Sequence, residues 1–510
     1  MAVISSIHKQ LNQHIPLKLL FEQPTVEGLA KVLEQHTSEA FESIHPAEPR
    51  DYYPVSAAQR RMYVVSQLER AKTSYNMPNV IRVEGKLDLD RLGAIFQELV
   101  NRHESFRTCF DMVDGQLVQQ IQVQAELKIE ELRESEEITE PEECTAEREK
   151  EHIAAFIRPF DLGQAPLLRV GLIRRSVQEH ILLIDMHHII SDGVSMSLLT
   201  DEFSRLYAGK SLPPLRIQYK DYAVWQQEHQ GQQERKRQEE AYWQETFSGE
   251  LPVLALPTDF PRPAIQQFDG AHLEFSIGSE LRGKLQQLMK EEEATLYMVM
   301  LAAYNVLLSK YSGQEDIIVG TVAAGRPHAD LEPVIGMFVN TLPMRNYPKG
   351  DWSFREFVRQ VKENALKAFD HQAYPFEELV EKLALQRDMS RNPLFDTVFG
   401  VQNLQGAREQ AEGMAFHPYE LEHRMAKFDL TLTAWETEAG IGLELEYSTH
   451  LFRHATICRM AEHYKQLLER LADQPEQPLS GLEIITEAEK RQVREIFNAT
   501  QVAYPREKTV

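Results

Sequence analysis

The run His180-Ile-Leu-Leu-Ile-Asp-Met186 is short, almost wholly apolar and β-compatible, and residues 187–193 join it to a pattern of a different period. Val194, Leu198, Leu199, Phe203, Leu206 and Tyr207 recur near helical spacing, which predicts a helix over about 194–207. A strand feeding a helix commits this part of the chain to an α/β layer, with His187 and His188 at the strand end, where side chains are exposed for chemistry. Asp192 is placed to cap the helix, and Gly193 is free to take a backbone conformation that other residues resist. Histidine titrates near neutral pH, so His-x-x-x-Asp-Gly can supply a base, an acid or an acceptor that positions an amine. The competing reading is a core histidine beside a capping aspartate. Neighbours on an extended chain point to opposite faces, so the adjacent pair predicts no metal site.

At 510 residues the chain exceeds one ordinary core. Residues 1–35 read as short helices, with Thr25 a possible cap, and residues 36–51 turn polar and proline-marked, as a linker does. A large body follows in two comparable α/β halves, about 52–225 and about 226–480. In the second half, a polar helix over 226–247 leads to the proline-rich turn Leu256-Pro-Thr-Asp-Phe-Pro-Arg-Pro263, a candidate hinge. A helix over 279–311, a strand over 316–323, a helix over 354–369, strands near 394–401, 427–435 and 441–447, and a helix over 456–471 follow. The Glu-rich stretch 126–151 reads as a solvated face or loop without chemistry. Residues 481–510 read as the start of another unit, and both chain ends look cut.

A formal charge of −23 excludes the basic footprint that nucleic acid or an anionic membrane requires. Three scattered cysteines, no membrane-length apolar run and no signal segment predict a cytoplasmic protein.

Seven stretches then stand in a telling order. They are Ser56-Ala-Ala-Gln-Arg-Arg-Met-Tyr63, Arg102-His-Glu-Ser-Phe-Arg-Thr108, Met186-His-His-Ile-Ile-Ser-Asp-Gly-Val-Ser195, Tyr219-Lys-Asp-Tyr-Ala-Val-Trp225, Ile335-Gly-Met-Phe-Val-Asn-Thr-Leu-Pro-Met-Arg345, His371-Gln-Ala-Tyr-Pro-Phe-Glu377 and Arg387-Asp-Met-Ser-Arg-Asn-Pro-Leu-Phe-Asp396. Together they resemble the condensation domain of a nonribosomal peptide synthetase, of the type taking an L-donor and an L-acceptor, over about 52–480. Residues 1–35 resemble the C-terminal part of a peptidyl carrier domain, and those after Gly481 the start of an adenylation domain. The serine that would bear phosphopantetheine lies before Met1, so no cofactor is expected on this chain itself. The resemblance implies two chloramphenicol-acetyltransferase-like lobes in a V-shaped pseudo-dimer with a central tunnel. It also implies two carrier domains as partners, each presenting a thioester on 4'-phosphopantetheine.

The same resemblance implies roles. His188 is the catalytic residue, as a base or as the group that positions the amine. Asp192 pairs with an arginine of the second lobe, for which Arg326 is the candidate; Gly193 serves backbone shape and tunnel access; and His187 is scaffold. Arg102 and Arg107 form structural ion pairs, Trp225 packs in the core or walls the tunnel, and Asn340 and Gln372 bridge the lobes by hydrogen bonds. His103, His328 and His371 are isolated and receive no role. The alternatives are an epimerisation domain, a heterocyclising relative, a stand-alone coenzyme A acyltransferase and a non-catalytic docking scaffold. Residues 388–395, His187 and the flanking segments disfavour the first three in turn.

Overall fold

The computed structural model describes residues 2–499 apart from 12, 14, 16, 24, 36–42, 68–72, 133–145, 229, 327, 386–387, 403–414 and 420–424. Cys144, Arg387, much of the Glu-rich stretch and the terminal residues 500–510 lie outside that set.

The strand Glu179–Met186 sits between Asn79–Glu84 and Leu168–Arg174, antiparallel to both, and seven of its eight residues are buried. Burial on both faces explains why it reads as a continuous apolar run rather than an alternating one. Ile129–Glu131 extends the sheet on one side. The other edge is supplied from far along the chain, because Ala415–Pro418 pairs with Asn79–Glu84 from Ala415 opposite Glu84 to Pro418 opposite Ile81. The second half therefore completes the sheet of the first. A smaller sheet of Tyr53–Pro54, Gln116–Ile121 and Thr108–Val113 accompanies it.

The second lobe is built on a six-stranded sheet in the order Asn340–Asn346, Ile317–Ala323, Thr397–Gln402, Leu430–Glu436, Gly440–Ser448, Gly270–Gly278. The helix Leu296–Ser312 is buried at every position from Met298 to Leu308. A helix that is apolar all round belongs in a core, and here it packs between Phe354–Asp370 and His454–Asp473. The single helix expected over 279–311 is two, Ser279–Glu291 and Leu296–Ser312. The chain turns at Glu293, with φ of 49°, and restarts where the Thr295 hydroxyl accepts the Met298 N–H at 3.3 Å.

The polar helix Gln230–Thr246 ends by burying Trp243, with Phe247 following, in the second lobe's core. The turn 256–263 is no hinge. Its Asp259 N–H donates to the Leu451 carbonyl at 2.9 Å, its Asp259 carboxylate accepts the Arg453 N–H at 2.8 Å, and Arg262 pairs with Asp429, all within the second lobe. The described part of the presumed linker is also fastened. Ile44 is fully buried with its N–H on Asp330 at 3.0 Å, and the Ala47 N–H donates to Asp221 at 2.8 Å.

Candidate functional site

His188 follows the central strand, in the single 3-10 turn His188–Ile190 that leads into the helix Gly193–Tyr207. Its backbone N–H donates to the Tyr75 carbonyl at 2.8 Å, and its ring Nδ1 lies 2.8 Å from the Ser191 carbonyl. A carbonyl only accepts, so Nδ1 carries the proton and Nε2 keeps its lone pair. The neighbouring ring has the opposite tautomer, because the Ile189 N–H donates to His187 Nδ1 at 3.1 Å. His187 is buried and packs edge-on against Phe160, with ring centroids 6.2 Å apart. Burial, aided by the Lys427 ammonium, pushes the His188 ring down to about 4, against the opposing pull of the Ser191 carbonyl and Asp192. Burial and the neighbouring His188 and Lys427 push His187 to about 3. Both rings are therefore neutral near pH 7, and one presents a free acceptor nitrogen.

Asp192 is fully buried and caps the following helix, its Oδ1 accepting the Ser195 N–H at 2.7 Å. Its remaining partners come from the second lobe. Arg326 Nη2 lies 3.2 Å from Oδ1, and the Phe338 N–H donates to Oδ2 at 3.1 Å. Arg326 also donates to the Leu331 and Val334 carbonyls at 2.6 Å each and to Ser195 Oγ at 2.9 Å, while its guanidinium lies 4.0 Å from the centroid of the Phe338 ring. Ser195 Oγ donates to the Gly336 carbonyl at 2.9 Å and accepts the Gly336 N–H at 3.0 Å. The Tyr219 hydroxyl donates to the Met337 carbonyl. Glycine is required at two points of this clasp. A Cβ at Gly336 would come 1.8 Å from the Tyr219 ring, and one at Gly325, where φ is +63°, 1.7 Å from the Phe338 carbonyl.

The other expected residues divide. Arg102 pairs with Glu202 at 3.1 Å. Arg107 makes no ion pair among the described residues and instead donates to the carbonyls of Val100, Asn101, Gln122 and Val123, tying a loop together. Asn340 and Gln372 do not bridge the lobes. The Asn340 amide donates to the Gln372 and Tyr374 carbonyls at 2.9 and 2.7 Å, and all three residues belong to the second lobe. Arg61 and Glu377 provide a bridge that the sequence did not suggest, at 3.0 Å. Trp225 is half-buried, edge-on to His328 at 5.6 Å, and lines a cleft of about 1740 Å³ that also touches Arg61, Glu239 and Glu377 but not His188. Gly193 is exposed with open space where a Cβ would sit, and it lacks a positive φ, so backbone shape does not require it.

Nor are the remaining histidines isolated. His103 Nε2 lies 2.6 Å from Glu202, His328 Nδ1 accepts the Asp330 N–H at 3.1 Å, and His371 stacks on Tyr242 at 4.1 Å. Ser195 and Tyr219 lay inside quoted motifs without an assigned role, and Lys427 carried no signal at all. Among the described residues no group of three or more His, Cys, Asp or Glu side chains is arranged to hold a metal ion.

Comparison with known proteins places this geometry. The family model for the condensation domain matches residues 49–493. Gramicidin S synthase 2 of Brevibacillus brevis is 48% identical over 512 residues, covering 100% of this chain and 11% of that protein. Surfactin synthase subunit 1 of Bacillus subtilis (strain 168) is 49% identical over 511 residues, covering 100% of this chain and 14% of that protein. The chain thus spans a small fraction of the length of these relatives. Among solved structures, the X-domain in its complex with OxyB from teicoplanin biosynthesis superposes with a TM-score of 0.78 at 25% identity, covering 88% of this chain and 99% of that one. Holo-AB3403, a four-domain nonribosomal peptide synthetase bound to AMP and glycine, superposes with a TM-score of 0.76 at 23% identity, covering 88% of this chain and 35% of that one.

Proposed function

Because the chain belongs to the condensation-domain family, the amide-forming acyltransferases of nonribosomal peptide synthetases, we propose that it transfers an aminoacyl or peptidyl group between two carrier domains at His188. The observation that carries this reading is the Nε2 lone pair of His188, fixed by the Ser191 carbonyl at 2.8 Å. The acceptor's α-amine attacks the donor thioester carbonyl; a C–N bond forms, the C–S bond breaks, and the proton lost by the amine ends on the departing thiol. A free α-amine has a pKa of about 7.7–8.0, so a useful fraction is already neutral. A ring held near 4 is a weak base. His188 therefore serves mainly by accepting an amine N–H and fixing the line of attack, where positioning replaces much of the entropic barrier.

On this reading both thioesters arrive on 4'-phosphopantetheine arms, the upstream carrier including residues 1–35 and the downstream one following an adenylation domain that begins in 481–510. Residues 52–480 form the condensation body, divided near 225. Asp192, Arg326, Ser195 and His187 support the site without touching substrate, and the role left to Gly193 is tunnel access. Arg102, Arg107, Trp225, Asn340 and Gln372 are structural. We place the protein in the cytoplasm, in keeping with the absence, among the described residues, of any helix long and apolar enough to cross a membrane. Mass spectrometry of a reaction with separately loaded donor and acceptor carriers tests the function. A dipeptidyl acceptor arm is expected, whereas an inverted but unextended donor would replace this reading with epimerisation.

A further inference from the structure

The end of the central strand is clamped from both sides. On one side the His187 N–H donates to the Leu167 carbonyl at 3.1 Å. On the other, the segment Tyr75–Met77 lies antiparallel to Met186–His188 with Asn76 opposite His187. Here the Met77 N–H donates to the Met186 carbonyl and the His188 N–H to the Tyr75 carbonyl, each at 2.8 Å. This contact is an isolated bridge; the regular ladder resumes only at Asn79, opposite Ile184. His188 is thus held at two points, its ring by the Ser191 carbonyl and its backbone by the Tyr75 carbonyl.

The Tyr75–Met77 segment is itself fastened by one side chain. The Asn76 amide donates to Asp185 Oδ2 at 2.7 Å and to the Arg158 carbonyl at 3.0 Å. Both partners accept, so the amide nitrogen must face them and the orientation of Asn76 is fixed. Asp185 lies on the central strand, two residues before His187, and is fully buried. Behind it Arg169 comes within 3.5 Å, donates to the Arg158 and Pro159 carbonyls at 2.6 Å each, and lies 3.6 Å from the centroid of the Phe160 ring that packs on His187. Asn76 Oδ1 and Asp185 Oδ1 are both buried without a hydrogen-bond partner among the described residues. A half-satisfied polar pair adds less stability than apolar packing of the same shape, so what it supplies here is a defined place for the backbone.

We propose that Asn76 is a positioning residue for amide formation: by tying Tyr75–Met77 to Asp185 it fixes the carbonyl that holds the His188 N–H, and with it the place of the His188 ring. Loss of the amide frees the segment where it has no ladder to keep it, and a ring displaced by about 1 Å costs transfer about a hundredfold. The proposal rests on His188 being the ring that meets the amine.

The test takes the full chain, with chemically loaded donor and acceptor carriers supplied separately and folding checked by thermal melting. Asn76→Ala is expected to lower the single-turnover rate at saturating carriers by about 10-fold to 100-fold while the acceptor KM stays within about twofold of the parent. Amide hydrogen exchange in peptides spanning 186–190 should quicken by about tenfold, with exchange in the strand Leu430–Glu436 of the other lobe unchanged. Asn76→Asp alone should lose the rate as well. Exchanging the pair, with Asn76→Asp and Asp185→Asn together, lets the new amide donate to the new carboxylate and leaves Arg169 on the Arg158 carbonyl, so at least about tenfold of that loss should return. A parent-like rate in folded Asn76→Ala, a loss carried by KM, or an exchanged pair that recovers nothing overturns the assignment. If Asn76→Ala does not fold, the comparison of Asn76→Asp with the exchanged pair decides it. A His188→Ala variant turning over near the wild-type rate would instead remove the functional reading beneath the proposal, and would leave the exchange at 186–190 in Asn76→Ala untouched.

Discussion

Replacing Asp192 by Asn isolates the charge of the interlobe clasp from its shape. Asparagine caps helices about as well as aspartate, so the Ser195 N–H can keep its acceptor and the helix start should survive. What changes is the other oxygen. The carboxylate accepts from the Ser195 N–H, the Phe338 N–H and Arg326 with both of its oxygens, whereas an amide offers one oxygen and turns an NH2 toward either Phe338 or Arg326. Arg326, with 7% of its side chain exposed, is then left as a buried cation without an anion. Breaking one member of such a pair costs about 3–5 kcal/mol. A unit of 150–250 residues moves by about 2–4 °C per kcal/mol, so melting should fall by about 10 °C. Arg326→Met should cost a similar amount by stranding Asp192. The double variant should then be more stable than the sum of the two losses predicts by about 1–3 kcal/mol, because neither charge is left alone. Thermal and urea denaturation of the four proteins measures this coupling. Losses that add within about 0.5 kcal/mol would show that Asp192 and Arg326 do not stabilise each other, and the clasp would have to rest on Ser195, Gly336 and Tyr219.

Three further outcomes are expected. His188→Ala should nearly abolish dipeptidyl transfer while melting like the parent; a folded variant at near wild-type rate removes this ring from the mechanism. The pH dependence of transfer should follow protonation of the acceptor amine near 8 and show no further inflection near 6.5, since a ring held at about 4 is already the unprotonated acceptor above about pH 5; an inflection near 6.5 would mean that His188 titrates as an ordinary imidazole. On the proposed division of the chain, in which residues 36–51 leave no room for an epimerising unit between a carrier segment and the body, chemically loaded L-aminoacyl donors should outpace D-donors, and faster D-transfer would overturn the assignment of donor stereochemistry.

Elements with a continuous apolar run or one periodic apolar face were legible before the structure. The strand Glu179–Met186 and the helices Gly193–Tyr207 and Phe354–Asp370 fall within a residue or two of their expected bounds, because their apolar spacing is set by local geometry. The strand Asn79–Glu84 was missed because its burial alternates weakly, and Ala415–Pro418 because it is short and ends in proline. Each of these two is stabilised mainly by the other strands it pairs with, a contact that local pattern does not encode. The pairing of Asp192 with Arg326, 134 residues apart, came from resemblance, since no periodicity links them. The supposed Asn340–Gln372 bridge shows the converse limit. Only the fold shows that the Asn340 amide ties together backbone carbonyls within one lobe, with Gln372 taking part through its own carbonyl.

The His188 ring and the lobe clasp share one short turn. Ser191 gives its carbonyl to His188 Nδ1, and the next residue gives its carboxylate to Arg326. A displacement of the second lobe that drags Asp192 must therefore move the Ser191 carbonyl, the group that fixes which nitrogen of His188 is free. If the turn takes its shape from the clasp, a relaxed or opened clasp should release Nδ1 and let the ring turn. That coupling separates two kinds of damage. A variant lacking the ring loses transfer with its fold intact, whereas one lacking the clasp loses stability and ring orientation together, so the His188 ring nitrogen signals in Arg326→Met should report a mixed or inverted tautomer at a pH where the parent shows one. A single, parent-like tautomer in that variant would mean that the turn holds its shape without the second lobe, and that the two functions merely adjoin.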